Sequence, residues 1–447
     1  MKRVNRQVLP VAAAAVLIVF VSVNVASALS DVSSSKFANS ASCACHNTLR
    51  SQWSDSMHAK ALTDPLYTLK RDAGNSATNG AIGKFCDGCH APVAIMSGEN
   101  TSNFESLPEQ SREGVGCDFC HQVTGSTSPF GNTSVDVIPD GTRRAQLDDA
   151  QAPHQAAYSK FHTTAEFCGN CHNVNHPSNG LALEATYTEW KNSTYAAEGI
   201  VCQDCHMTPG VGPSTNPGAS ALGAPSRSHI FNMTFTGGNT GLGDSQLAEE
   251  RLKGAAALDI SVNDIVPEGS ESVVTVTVTN SGAGHYLPTG LTDMRQMWLV
   301  VTAATESGGE KELFRRNFGT ILADDKGNAP VQIWAATKIS SDDRIPPKES
   351  ITENIRFLQE DAKATTIHAV LYYRSSSPEI AREARVDIPT TTMASSDVVI
   401  YASELKKTAA LTSVLTPQAG TFAYWFLYGG VVFFVLVLLR NSRSWKE

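Results

Sequence analysis

Cys117-Asp-Phe-Cys120-His121 is the stretch on which the reading of this chain turns. Two thiols stand three positions apart and a histidine follows the second directly. The arrangement recurs as Cys86-Asp-Gly-Cys89-His90, Cys168-Gly-Asn-Cys171-His172 and Cys202-Gln-Asp-Cys205-His206, and in shortened form as Cys43-Ala-Cys45-His46. Together the five segments use all ten cysteines, so no thiol remains for a disulfide or a separate metal site. Each intact segment offers two thiols that can form thioethers with the vinyl groups of haem c, and a histidine that reaches the iron from one face. Paired cysteines also build zinc ribbons, but a ribbon does not require a histidine after every second cysteine, and here it never fails. The cofactor expected is haem c, about five per chain, covalently attached.

The first site departs from the pattern. Ser42 stands where the first cysteine of a segment ending at His46 belongs, and Cys43 comes one place late. Either the haem hangs from Cys45 alone, or Cys43 and Cys45 both reach the vinyls through a tighter loop.

The two ends of the chain place it at a membrane. Lys2, Arg3 and Arg6 precede the apolar run Leu9 to Val25, and Ala26-Ser27-Ala28 has the small residues of a cleavage site, so residues 1–28 read as a secretory signal, with a retained anchor as the runner-up. A second apolar run, 422–439, is long enough to span a bilayer. Tyr424, Trp425 and Tyr428 gather at its start, while Arg440, Arg443 and Lys446 follow it, so the tail 440–447 is expected in the cytoplasm. The span carries no His, Asp, Glu, Lys or Arg, which makes it a plain anchor without a haem or proton relay of its own. The haem-bearing part then lies on the periplasmic or extracellular side of the cytoplasmic membrane, where haem c is attached. The formal net charge of -9, made more negative by haem carboxylates, argues against nucleic acid and permits a basic redox partner.

Between these ends the texture changes once. Residues 29–250 carry every attachment segment and are rich in Gly, Asn, Ser and Thr, with short helices such as 51–61 and 187–197. That composition suits a pentahaem domain whose core is largely porphyrin. Residues 211–227 are a Gly/Pro/Ser/Ala-rich surface connection. After a helical stretch around 246–257, short alternating runs rich in β-branched residues begin: 258–262, 272–278, 297–302, 331–336, 351–357, 367–373 and 398–401. They predict an antiparallel β-sandwich over 251–404, followed by a stalk at 405–421. The expected architecture is therefore a multihaem cytochrome domain of short helices and loops, a sandwich and one C-terminal transmembrane helix.

A haem that only carries electrons is usually six-coordinate, so a second histidine is expected at each iron. Of twelve histidines, five (His46, His90, His121, His172 and His206) belong to the attachment segments. The other seven are His58, His154, His162, His176, His229, His285 and His368, enough to close five irons. His58 sits on a short helix after the first site, His285 in a turn between Gly284 and Pro288, and His229 just after the 211–227 connection. All three are candidate ligands. His154, His162 and His176 compete for what remains, and one of them is surplus. His368 lies in an apolar strand pattern and is expected in the core.

The contexts of these residues resemble a known family. Trp53-Ser-Asp-Ser-Met-His58-Ala-Lys-Ala, Glu189-Trp190 leading into Gly199-Ile-Val-Cys-Gln-Asp-Cys-His206-Met207, and Gly284-His285-Tyr-Leu-Pro-Thr-Gly290 look like multihaem cytochromes c related to the tetrahaem electron carriers of the hydroxylamine pathway and to some extracellular cytochrome filaments. The resemblance covers roughly 40–400. It implies that His58 is a ligand, and that His285, though part of the β-rich region, ligates a haem of the preceding domain. The function it implies is electron relay between redox partner proteins, a membrane or soluble donor and acceptor. The alternatives are a reductase or oxidase of a nitrogen or sulfur compound with one open haem, for which the shortened first site is the obvious oddity, and a filament subunit.

Overall fold

In a computed structural model the described residues are 32–262, 269–305, 308–359 and 364–401. The signal expected at 1–28, the stalk, the span at 422–439 and the tail all lie outside them. Among the described residues no helix is long and apolar enough to cross a membrane.

The motif-bearing region is a succession of short helices and loops. Helix α1 (Asn47–Asp55) follows a 3-10 helix at Ser40–His46 that kinks at Cys43. Helix α2 (Pro65–Ala77) starts on the Asp64 side chain, which accepts from the Leu66 amide, with proline at the first helical position. Helices α3 (Gly83–His90), α4 (Cys117–Gln122), α5 (Glu166–Gly169) and α6 (Cys202–His206) begin or contain the four intact segments. A helical turn is what the spacing needs: residues three apart share a face, so both thiols point the same way. Two segments add an internal brace. Asp87, fully buried, accepts from Tyr67, Arg71 and Thr101, and buried Asp118 pairs with Arg143 and accepts from the Ala38 amide.

The helix expected at 187–197 is two pieces, Thr186–Lys191 and Thr194–Ala197, because the Ser193 hydroxyl caps a new helix by accepting from the Ala196 amide. The connection at 211–227 is irregular apart from a bridge between Gly218 and Arg227.

Helix α7 (Ser245–Ala255) leads directly into β1 (Ala256–Val262). From there the region is strand-rich. One antiparallel sheet holds β5 (Ser350–Leu358), β2 (Glu271–Asn280) and β1 in that order. A second holds β4 (Glu310–Phe318), β3 (Gln296–Thr305), β6 (Thr365–Arg374) and β7 (Thr391–Ile400), and a two-stranded sheet joins Thr320–Ala323 to Lys338–Asp342. Strict in–out alternation sends Val274, Val276, Val278, Leu299, Val301, Ile367, Ala369 and Leu371 into one shared apolar cluster. Full burial of each larger side chain is worth about 1.5–3 kcal/mol.

Two expectations are corrected here. Residues 331–336 are not a strand: Pro330 removes a ladder donor, a 3-10 turn forms at Ile333–Ala335, and Trp334 lies against Gly74 and Lys70 of α2. His368 is not in the core; it sits on the outward face of β6, where its Nδ1 is hydrogen-bonded to the Asp397 carboxylate at 2.8 Å.

Candidate haem-binding sites

The twelve histidines are all described, and eight of them stand in four facing pairs. Ring centres of His46 and His154 are 6.3 Å apart, of His58 and His172 6.3 Å, of His121 and His162 6.2 Å, and of His206 and His285 6.3 Å. An imidazole nitrogen bonds a metal at about 2.0–2.1 Å, and its ring centre lies about 1.1–1.2 Å beyond, so two rings on opposite sides of one metal atom have centres about 6.2–6.6 Å apart. All four separations fall in that range. Each pair also joins one histidine of an attachment segment to one that is outside all of them.

The nitrogens are arranged to match. In every attachment segment Nδ1 is spent on an acceptor: the carbonyls of Ser220 for His46 (2.7 Å), Ala61 for His90 (2.7 Å), Arg144 for His121 (2.8 Å) and Thr236 for His206 (2.7 Å), and the Glu184 carboxylate for His172 (3.0 Å). This fixes the tautomer and leaves Nε2 with its lone pair free. His154 and His285 likewise spend Nδ1 on the carbonyls of Gln155 and Tyr286. His162 is turned the other way: Nε2 bonds the Cys120 carbonyl, and Nδ1 is buried without a hydrogen-bond partner. An orphaned buried ring nitrogen facing a second imidazole is a lone pair in want of a partner, which a metal satisfies.

Burial keeps most of these rings neutral. It pulls His58 down to about 3 and His162 and His206 to about 4, and it lowers His90 and His121 as well. His172 moves oppositely: burial would lower it, but the hydrogen bond and charge of Glu184 raise it to about 9. Burial alone would raise Glu184, yet the bond from His172 holds it below the ordinary carboxylate range.

Three features place the non-motif histidines. Gly114, at φ +65°, lies so close to the His58 carbonyl that a Cβ there would come within 2.5 Å of it, so only glycine lets this loop pass. The Trp53 indole donates to the Val115 carbonyl (2.9 Å), while the Val115 amide donates to the His58 carbonyl (2.9 Å). His285 is held by a clamp across the two regions. Asn280 Nδ2 donates to its carbonyl at 2.8 Å. Buried Glu189 accepts from the Tyr286 amide (3.1 Å), the Thr289 hydroxyl (2.6 Å) and Arg344 (2.5 Å). Gly290, at φ +99°, ends the loop in a conformation that favours glycine.

His90 has no histidine opposite it among the described residues. Tyr67 instead stacks on its ring, with centres 3.6 Å apart and planes 8° from parallel. The sequence points to the shortened segment as the odd site, whereas the geometry makes His90 the exception.

His176 and His229 stand outside the pairs. His176 is buried with both nitrogens engaged, Nε2 on the Trp334 carbonyl and Nδ1 accepting from the Ser178 amide. His229 accepts from the Asn216 amide on Nδ1, which keeps its proton on Nε2, and its ring meets Phe231 edge-on. Sequence reasoning did not find Tyr67, or Glu184 on a two-strand hairpin formed by Val174–Asn175 and Ala182–Glu184. No spacing marks either residue. Glu189 is visible in the sequence, but its role as a clamp is not.

The cysteines link the sites in an order. Reading each thiol as the stand-in for a thioether sulfur, Cys43 touches Cys117, Cys89 touches Cys171, and Cys168 touches Cys202. Cys120 lies within electrostatic range of Cys171. The site of Cys168–His172 therefore neighbours three others, and that of Cys43–His46 lies at one end. Among the described residues there is no cluster of three or more His, Cys, Asp or Glu side chains that could hold a lone metal ion.

Comparisons with known proteins agree with this chemistry. The family model described as cytochrome c554 and c-prime matches residues 42–122, which span the first three attachment segments. Among solved structures the fold is similar to that of a penta-haem cytochrome c552 from Thermochromatium tepidum. The two share 21% identity, the match covers 83% of this chain and 100% of that one, and the TM-score is 0.61. The CARDB domain of the PF1109 protein from Pyrococcus furiosus covers 33% of this chain and 94% of its own, at 11% identity and a TM-score of 0.17, which is too distant to carry an argument. No curated protein matches the chain. Attachment segments that use every cysteine, imidazoles paired at the span of one metal atom and a matching family segment together support reading the chain as a multihaem c-type cytochrome.

Proposed function

We propose that this chain relays electrons through five haems c, four of them between two histidines, on the outer side of the cytoplasmic membrane, to which residues 422–439 tether it. The four histidine pairs at 6.2–6.3 Å carry the reading. Haem c, bound at such sites, supplies reversible one-electron iron chemistry. The paired histidines, their tautomers preset, would hold the iron from either side and exclude competing ligands, and the cysteines bring neighbouring attachment sites into contact. Residues 251–404 then act as a β-sandwich that delivers His285 across the region boundary. Donor and acceptor are separate redox proteins.

One observation favours a second reading at a single site. With Tyr67 and no histidine beside His90, the chain would leave one face of an iron held by His90 without a protein ligand, so a reductase or oxidase activity toward a small nitrogen or sulfur compound would reside at that site. Low-temperature electron paramagnetic resonance of the oxidised holoprotein should show four low-spin components and at most one high-spin component, and carbon monoxide should bind no more than one haem in five. High-spin signals from several haems would overturn the relay. Turnover of nitrite or hydroxylamine that disappears in His90→Met would establish the second reading. The tether is tested separately: the full-length protein should fractionate with membranes, and a chain ending before residue 405 should not.

A further inference from the structure

The five attachment histidines do not share one kind of Nδ1 acceptor. Four face a backbone carbonyl, and His172 alone faces a carboxylate, Glu184 Oε1, at 3.0 Å. The Glu184 side chain is only 16% exposed, so its charge is weakly screened. Arg295 is the nearby cation, but its guanidinium is committed to the Ser375 carbonyl at 2.7 Å, and the only side chain hydrogen-bonded to Glu184 among the described contacts is His172. A ring N–H shared with a carboxylate makes the imidazole a more basic, stronger donor. The neighbouring site is biased the opposite way. The Thr236 carbonyl that accepts from His206 also accepts from the buried Arg251 guanidinium, which in addition donates to the Thr208 carbonyl at 2.8 Å. A cation sharing that carbonyl withdraws electron density from the imidazole and favours the reduced metal.

We propose that Glu184 is a tuning residue acting through His172, and that it makes the iron between His58 and His172 the hardest of the five to reduce. Because Cys171 touches Cys89 and Cys168 touches Cys202, this is also the junction from which the His90 and His206 sites branch. An electron therefore crosses the junction without resting there, and the two branches hold it instead. The inference rests on the axial reading of His58 and His172 given above.

The test is potentiometric titration of the intact holoprotein, followed by haem absorbance and paramagnetic resonance. Glu184→Gln keeps the size and an acceptor but removes the charge. One component should become at least about tenfold easier to reduce, which is about 59 mV for one electron, while the other four stay within about twofold. His58→Met identifies the component, since it must alter the same low-spin signal. If His58→Met alters no signal, the axial reading itself fails. If it does alter one but Glu184→Gln moves no potential, the tuning role alone is overturned. Should Glu184→Gln lose a haem, Arg295→Gln serves instead: removal of that cation should make the same component harder to reduce by at least about twofold, and an unchanged potential there refutes the proposal.

Discussion

Removing the Glu189 carboxylate should disconnect the strand-rich region from the site of His206, which His285 faces. Glu189 and Arg344 are nearly sequestered, with side-chain exposures of 4% and 10%. The carboxylate also receives the Tyr286 amide and the Thr289 hydroxyl, which fix the loop on either side of Pro288. Hydrogen bonds to a charged group are worth about 1.5–3 kcal/mol each, and removing one partner of a buried ion pair costs about 3–5 kcal/mol. Arg344 keeps Asp342 at 2.8 Å, so its loss lies at the low end. Glu189→Ala should thus weaken the docking of the loop by about 3–5 kcal/mol, and Glu189→Gln, which retains an acceptor, by about 1–2 kcal/mol. That is enough to free His285 from its place 6.3 Å from His206 in a large fraction of molecules. Denaturant unfolding should show the stability loss in the order Ala greater than Gln. The oxidised spectrum of the Ala variant should lose one low-spin component, the one lost in His285→Ala. A folded Glu189→Ala protein with an unshifted midpoint and an unchanged haem spectrum would refute the clamp.

The first attachment site gives a prediction of its own. Cys43 sits at a kink and touches Cys117, while Cys45 is exposed, and residues two apart do not share a helical face. Cys45→Ser should therefore remove one of five haem increments from the intact mass, and Cys43→Ser should leave all five; the reverse result would make Cys43 the anchor. The surplus histidines separate in the same experiment type. His154→Ala and His162→Ala should each convert one low-spin haem to high spin, whereas His176→Ala and His229→Ala should leave the paramagnetic spectrum unchanged. In His176→Ala the cost should be structural, about 1–3 kcal/mol for the unpaired Trp334 carbonyl, read by the denaturation midpoint.

What the sequence displays is whatever is fixed by local spacing. Attachment segments are legible because covalent chemistry demands thiols three apart with a histidine next, and strands such as 272–278 are legible because alternation shows directly which face is buried. The edge strand β4 escaped notice because Glu310, Lys311, Glu312, Arg315 and Arg316 give it the charged character that protects a sheet edge. The pairing of histidines is not local at all. His58 faces His172, and His154 faces His46, through loops whose course depends on Gly114 and on the arrangement of the neighbouring sites. For the same reason Glu184 could not be told from any other strand glutamate, His176 looked as available as His154, and His229 looked more so. His368 misled for a simpler cause: an alternating strand has two faces, and its register puts Ile367 and Ala369 inward and His368 out.

The two regions differ in what can hold them together. Among the described residues the largest apolar cluster of the strand-rich region contains twenty-one buried residues, whereas the clusters confined to the motif-bearing region contain six and four. Apolar burial is roughly proportional to such content, so the sheets can supply their own stability and the short helices cannot. The motif-bearing region must take its cohesion from the groups its cysteines and histidines bind, as metal-dependent domains do. His285 and the Glu189–Arg344 pair then acquire a second significance. They fasten the region that folds by hydrophobic burial to the region that folds around its cofactors, at the site of Cys202–His206. A ligand contributed from a preformed sheet costs little ordering entropy, because Asn280, the Tyr286 carbonyl and Glu189 already hold the loop and ring in place. With His285 as the proposed ligand, the strand-rich region belongs to the haem architecture even though it carries no attachment segment.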